Sequence, residues 1–270
     1  MKPFLGLLQV LILFGCSQLP TQYEVPKNWD LSRDNVSLTF EAGMLPVYGE
    51  VVEAAQLREH GMAYAGPIEV AALQLLIQGA VTGSVMKNKE QKLQKQANQV
   101  LDTFGEMLQD IEIVELSRPL PESASNLDRK FSVHFSPKMI VSQDTKFITL
   151  QTAVKITNHQ TGEIYSNLVA VSDEFEAIDA SIDSDTAKKS LKSKISNLLK
   201  TTYEVLIVKM PNAMDKCGGI TQRKYKKSGN SKVIIGRYCG TIAEKQIFLT
   251  NRNNYLAIPL ECPLNSRPLI

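Results

Sequence analysis

The spacing of apolar residues changes partway along this chain of 270 residues, and the change limits the folds it can adopt. Before residue 118, apolar residues recur at helical intervals, as at Leu93, Ala97 and Val100. After residue 128 they alternate with polar residues, which is the period of a strand. The segment 119–128 has neither period and carries two prolines and two serines. The sequence therefore predicts an α+β fold, with a mainly helical region over 31–118 and a sheet domain over 129–270.

The predicted helical region contains one strand signal and one strong helix signal. Alternation over Val36–Phe40 predicts a first short strand. The stretch Ile68–Met86 predicts a buried helix, which either runs on into the helix around Val100 as one long helix or turns back as a hairpin. Gly79 and Gly83 within it have the spacing that lets two helix backbones approach closely. Two interpretations of these glycines stay open: packing inside the fold, or self-assembly and membrane insertion as in a pore.

The predicted sheet domain consists of hairpins and one covering helix. Composition predicts a turn over Asn158–Gly162 between two alternating strands, and a helix that begins near Asp185 and has one apolar face. Two C-terminal hairpins are predicted, with turns at Lys227–Asn230 and Asn251–Asn254. The expected result is an antiparallel sheet with the helix on one face.

The first fifteen residues have the pattern of a secretory signal. Lys2 supplies a positive start, and the apolar run Phe4–Phe14 would span only about half of a ~30 Å hydrocarbon core as a helix. A short apolar run between a charge and a small residue is typical of a cleaved signal rather than a membrane anchor. The sequence thus predicts a signal peptide over 1–15, followed by a polar tether over 16–30.

The end of this run, Leu13-Phe14-Gly15-Cys16, resembles the lipobox of bacterial lipoproteins. Leu13, Gly15 and Cys16 match, while Phe14 is bulkier than the small residue usual there. The resemblance implies that Cys16 is acylated and becomes the first residue of the mature chain. It also implies that Ser17, which is not Asp, directs the protein to the outer membrane. The alternative is an ordinary cleaved signal in which Cys16 is incidental.

The three other cysteines predict one disulfide and one free thiol. If Lys226 pairs with Ser231 across the first C-terminal hairpin, Cys217 falls beside Cys239. Disulfides persist in oxidising compartments, so an exported chain favours a Cys217–Cys239 bridge. Cys262 is then left free.

Charge is nearly balanced over the chain but concentrated locally. The net charge of +2 gives no reason to expect nucleic acid as a partner. The C-terminal region, however, holds a cluster of cations over 216–237 that contains no acidic residue. We consider two interpretations of it: contact with an anionic surface, or lysines that protect an edge hairpin from strand pairing. The members of the cluster are Lys216, Arg223, Lys224, Lys226, Lys227, Lys232 and Arg237.

No motif in the sequence predicts catalysis, a metal site or a cofactor. The histidines, at 60, 134 and 159, are scattered, and none lies at metal-ligand spacing from another ligand. The predicted function is therefore a non-catalytic accessory lipoprotein on the periplasmic face of the outer membrane, bound to the bilayer through Cys16 and to other envelope proteins. The alternatives are a self-assembling pore-type lipoprotein that uses the Gly79/Gly83 helix, and an envelope hydrolase without a recognisable motif.

Overall fold

A computed structural model describes eight stretches of the chain. They are residues 25–51 without 27 and 33, 92–120 without 109, 129–175, 184–209, 217–227, 230–251, 254–260 and 265–268. The predicted signal peptide, Cys16, the helix that holds Gly79 and Gly83, and Cys262 lie outside these residues. So does most of the predicted boundary between the two regions.

A single ten-stranded mixed sheet dominates the fold. Its strands, in chain order, are β1 (Val36–Phe40), β2 (Val47–Gly49), β3 (Phe131–Val141), β4 (Phe147–Asn158), β5 (Ile164–Glu174), β6 (Ile220–Lys227), β7 (Asn230–Ile242), β8 (Lys245–Thr250), β9 (Tyr255–Pro259) and β10 (Asn265–Pro268). The order across the sheet is β1-β3-β4-β5-β9-β8-β7-β6-β10, and β2 pairs with β3 beside β1.

The predicted fold class is wrong on two points. The region 31–118 is not a separate helical part, because β1 and β2 join the same sheet as the later strands. The sheet is also not antiparallel throughout, since β1 and β2 run parallel to β3 and β5 runs parallel to β9. Parallel pairs join segments that are far apart in the chain, so no local turn signal marks them. The alternation over Val36–Phe40, by contrast, predicted β1 correctly.

Helical structure is limited in the described residues. A helical turn at 92–97 leads into a 3-10 helix, Asn98–Leu108, in which Val100 and Phe104 are buried as the apolar spacing predicts. Two further helices are α1 (Ile113–Ser117) and α2 (Ser184–Glu204), and α2 continues as a π-helical turn over Val205–Lys209.

Helix α2 covers one face of the central strands, as predicted. Its apolar side chains Leu191, Ile195 and Leu198 have no exposed surface, and they belong to the same core as Val133 on β3 and Leu150 on β4. Burying side chains of this size contributes roughly 1.5–3 kcal/mol each. The main core therefore lies between α2 and this face of the sheet.

Helix α1 is fastened to α2 by polar contacts. Glu115 forms an ion pair with Lys192 at 2.5 Å, and the Ser196 hydroxyl donates to the Leu116 carbonyl at 2.6 Å. The hydrogen bond from Lys192 and its positive charge hold the pKa of Glu115 below the ordinary glutamate value.

The opposite face of the sheet is concave. Lys232 on β7 forms an ion pair with Glu50, directly after β2, although six strand spacings separate these strands in the order β2-β3-β4-β5-β9-β8-β7. In a flat sheet these spacings would add up to about 29 Å, which no pair of side chains can bridge. The sheet must therefore curl towards this face. A second apolar cluster lies on it: Ala170, Ile234, Phe248, Leu256 and Ile258, with Tyr238 packed against them.

Side-chain amides fasten β2 to its neighbours. The Gly49 amide donates to the Asn98 side-chain oxygen at 2.9 Å, and the Gln94 amide donates to the Gly49 carbonyl at 3.0 Å. From the β3–β4 turn, Gln143 donates to the Glu50 carbonyl at 2.7 Å. A Cβ on Gly49 would lie 1.9 Å from the Ala97 carbonyl oxygen, so only glycine allows the helical turn to approach this closely. We call these residues the β2 clamp.

Candidate functional site: the basic hairpin

The hairpin of β6 and β7 carries most of the basic cluster, and its register agrees with the sequence prediction. Lys226 pairs with Ser231, and the pairing continues to Ile220 opposite Arg237. The turn over Lys227–Asn230 sets this register, because the two strands enter it directly. This hairpin is the candidate site.

A disulfide closes the base of the hairpin, and it joins the pair that the register predicted. The Sγ atoms of Cys217 and Cys239 are bonded at 1.95 Å, and both residues are buried. The Gly218 amide donates to the Tyr238 carbonyl at 2.9 Å beside the bridge. On the other side of β7, pairing with β8 shifts register between Tyr238 and Thr241. The bridge thus fixes the start of β6 to the bulged part of β7.

Two predicted surface cations do not belong to an outward basic surface. Lys232 pairs with Glu50, and the exposed fractions of the two side chains are only 18% and 19%. Arg223 pairs in register with Ile234 of the concave apolar cluster. Its Nε is buried and has no hydrogen-bond partner among the described residues. Alternation along the two strands thus directs both cations to the concave face.

Three of the other cations follow the opposite alternation. Lys224, Lys226 and Arg237 stand at register positions that share the outer face of the hairpin. Arg237 donates a hydrogen bond of 3.3 Å to the Gly218 carbonyl, so it also lies over the disulfide region. Lys227 pairs with Asn230 at the tip, and Lys216 lies outside the described residues.

The structure adds one cation that sequence reasoning missed. Strand β10 pairs antiparallel with β6, and Arg267 stands opposite Gln222. Because alternate residues of a strand share one face, the positions of Gln222, Lys224 and Lys226 are on the same face of the sheet. Arg267 lies about thirty residues beyond the hairpin, and only the pairing of β10 reveals its place. We call the set Lys224, Lys226, Arg237 and Arg267 the basic face.

Protection of a sheet edge explains only some of these lysines. Lysines guard a strand whose backbone groups are open to pairing with another chain. Over Thr221–Lys224, β6 is not such an edge, because β10 pairs with its outer side there. Lys226 and Lys227 lie beyond this pairing. The anionic contact surface and edge protection both stay open as interpretations, and the edge interpretation now applies only to the tip of the hairpin.

The described histidines do not form a reactive site. His134 Nδ1 lies 3.1 Å from the Thr39 hydroxyl at the β1–β3 pair, and the His159 amide donates to the Lys130 carbonyl at the β4–β5 turn. Over the stretches that the structure describes, no three residues of the types His, Cys, Asp and Glu come together as metal ligands. His60 falls outside those stretches.

Within the described ranges, no helix has both the length and the apolarity needed to cross a membrane. Comparisons with known proteins gave no relative from which a role could be carried over. No family model matches the chain, and neither the curated proteins nor the solved structures gave a match.

Proposed function

We propose that this chain is a lipoprotein of the bacterial outer membrane, anchored through acylated Cys16 on the periplasmic face, with a non-catalytic role in binding other envelope proteins. The lipobox-like residues Leu13, Gly15 and Cys16 support the anchor, and Ser17 supports the outer-membrane destination.

The single observation that carries the proposal is the buried Cys217–Cys239 bridge. Cys217 and Cys239 are 9% and 2% exposed, and their bridge closes the base of the β6–β7 hairpin. Bridges of this kind persist in the periplasm and are rare in the cytosol. A disulfide-bonded body behind a signal-like N-terminus therefore supports export to an oxidising compartment.

The use of charge supports a binding role over a catalytic one. Lys245 and Asp173 are paired at 3.0 Å, and the pairs Lys192–Glu115 and Lys232–Glu50 join separate elements of the fold. Side chains committed to such pairs hold the fold together and do not converge on a reacting group.

Metabolic labelling with a clickable palmitate analogue tests the anchor. We expect label on the wild-type protein and on Cys262→Ala, which removes another cysteine, but not on Cys16→Ala. Labelled protein should fractionate with the outer membrane. Label that persists in Cys16→Ala, or that is absent from the wild type, would contradict the proposal.

Crosslinking in intact cells tests the binding role. We expect heterologous envelope proteins to be crosslinked to the wild type, and the yield to fall when Cys16→Ala releases the body from the membrane. A ladder composed only of this chain would favour the pore-type alternative. Hydrolysis of an envelope polymer by the purified protein would favour the hydrolase alternative.

A further inference from the structure

We propose that the basic face lies against the anionic phospholipid headgroups of the bilayer that holds Cys16. The inference rests on the proposed function, because it requires the acyl anchor, and it adds the surface that the anchored body turns towards its membrane. Four cations on three adjacent strands carry it: Lys224, Lys226, Arg237 and Arg267.

The charge on this face has a single sign. The remaining paired positions of β6, β7 and β10 with the same parity are Ile, Gln, Ser, Val, Ile and Asn, so none is acidic. Lys224 and Lys226 are two residues apart on one strand, which places their Cα atoms about 7 Å apart. Because the face contains no acidic residue, its positive surface potential attracts anionic headgroups. This potential falls off over a Debye length of about 8 Å.

The face also contains apolar surface suited to a membrane interface. Ile220, which pairs with Arg237, is 48% exposed, and Val233 and Ile235 are partly exposed between the cations. Long basic side chains reach headgroups while their aliphatic stems and neighbouring apolar residues lie closer to the acyl boundary. The exposed isoleucine stands at the disulfide end of the face, beside Arg237.

The separation of the two faces of the hairpin supports the same assignment. On the concave face, Lys232 forms an ion pair with Glu50. The cations of the basic face stand at register positions on the opposite side of the hairpin. The disulfide joins the start of the hairpin to β7 at its base.

The length of the tether keeps the body close to the bilayer. Val25 is the ninth residue after Cys16, and it is buried and belongs to the core. Even a fully extended segment of nine residues spans only about 30 Å. Some surface of the anchored body therefore stays near the headgroups at all times, and the basic face has a charge that complements them.

Lysine footprinting of the full acylated protein in vesicles tests the inference. The vesicles contain phosphatidylcholine alone or phosphatidylcholine with phosphatidylglycerol, and mass spectrometry reads the rate at which an amine reagent modifies each lysine. We expect Lys224 and Lys226 to react several-fold more slowly on the anionic vesicles, with the difference lost in high salt. Lys189 on α2, which is exposed, serves as the internal reference and should react at one rate throughout.

Charge reversal provides the matched comparison. In the wild type we expect the anionic vesicles to protect Lys227 as well, because it follows Lys226 at the tip of the hairpin. The double variant Lys224→Glu with Lys226→Glu should remove this protection of Lys227. The control, Lys189→Glu with Lys200→Glu on α2, should keep it, because both of those lysines are exposed on the helix.

The outcomes separate this inference from the proposed function. The mass of the N-terminal peptide in the same samples shows whether Cys16 is acylated. Acylated protein whose Lys224 and Lys226 react equally on both vesicle types overturns the inference and leaves the anchor intact. Protection that appears only after addition of lipopolysaccharide, or only with an acidic protein, also overturns it, since the occupant is then not phospholipid.

Discussion

The two ends of the sheet are stabilised in different ways. At the β2 end, the clamp uses side-chain amides from residues far along the chain, with Gly49 at its centre. At the β6–β7 end, a local hairpin is closed by a disulfide between residues separated by 22 positions. The ion pair between Glu50 and Lys232 joins the two ends. One end of the sheet is thus held by non-local polar contacts, and the hairpin near the other end is held by a local covalent bond.

The largest effect is expected from filling the space at Gly49. Gly49→Ala places a Cβ 1.9 Å from the Ala97 carbonyl oxygen, and because the obstacle is backbone, β2 or the helical turn must move. We expect the free energy of unfolding to fall by about 3–4 kcal/mol. Urea denaturation followed by the emission of Trp29 measures it, since this is the sole tryptophan and its ring packs 5.1 Å from that of Phe131.

A matched control for that variant is Gly219→Ala. A Cβ on Gly219 would meet no atom within 4 Å, so this replacement should change stability by less than about 0.5 kcal/mol. Equal effects of the two substitutions would contradict the close approach at the β2 clamp.

Removal of the disulfide should have the next largest effect. The double variant Cys217→Ala with Cys239→Ala frees the base of the hairpin, and we expect a loss of about 3 kcal/mol from the loop-entropy model. The same urea titration detects it, with Cys262→Ala as the control. If the reductant-treated wild type is as stable as the oxidised protein, the bridge does not stabilise this end of the sheet.

The ion pair that joins the two ends should contribute less. Glu50→Gln leaves Lys232 without its charged partner while both positions are mostly buried, and we expect a loss of about 1–2 kcal/mol. Glu112→Gln, at an exposed glutamate, is the control. A double-mutant cycle with Lys232→Gln gives the coupling, and a coupling near zero would contradict closure of the sheet through this pair.

The smallest effect is a dependence of stability on acid pH through Glu115. Because Lys192 lowers the pKa of Glu115 in the folded protein, the pair stabilises the fold above the unfolded glutamate pKa. This contribution is lost as the pH falls through the lowered folded pKa. Unfolding midpoints of the wild type and Glu115→Gln should therefore differ at neutral pH and converge in acid. A constant difference across this range would contradict the linkage.

The same contrast between local and distant contacts explains how much of the structure the sequence could predict. The turn over Lys227–Asn230 fixed the register of the hairpin, so the Cys217–Cys239 pair followed from sequence spacing alone. The helix at Ser184–Glu204 was equally predictable, because its buried apolar residues recur at helical spacing and all lie within this one segment.

The non-local features were not predictable in this way. Alternation predicted β1 as a strand, but nothing near Val36–Phe40 indicates that its partner is β3. Likewise, strand alternation places Lys232 and Lys226 on opposite faces of the hairpin. Which of these faces is concave is known only from the ion pair between Lys232 and Glu50, which are 182 residues apart. The candidate site was therefore predicted from composition, while the register positions of its cations, including that of Arg267, required the fold.

Mass spectrometry of the N-terminal peptide, taken from protein extracted from the outer membrane, tests the central functional claim most directly. We expect a chain that begins at Cys16 and carries acyl groups on that residue. A mature chain that begins elsewhere, or an unmodified Cys16 at its start, would contradict the claim.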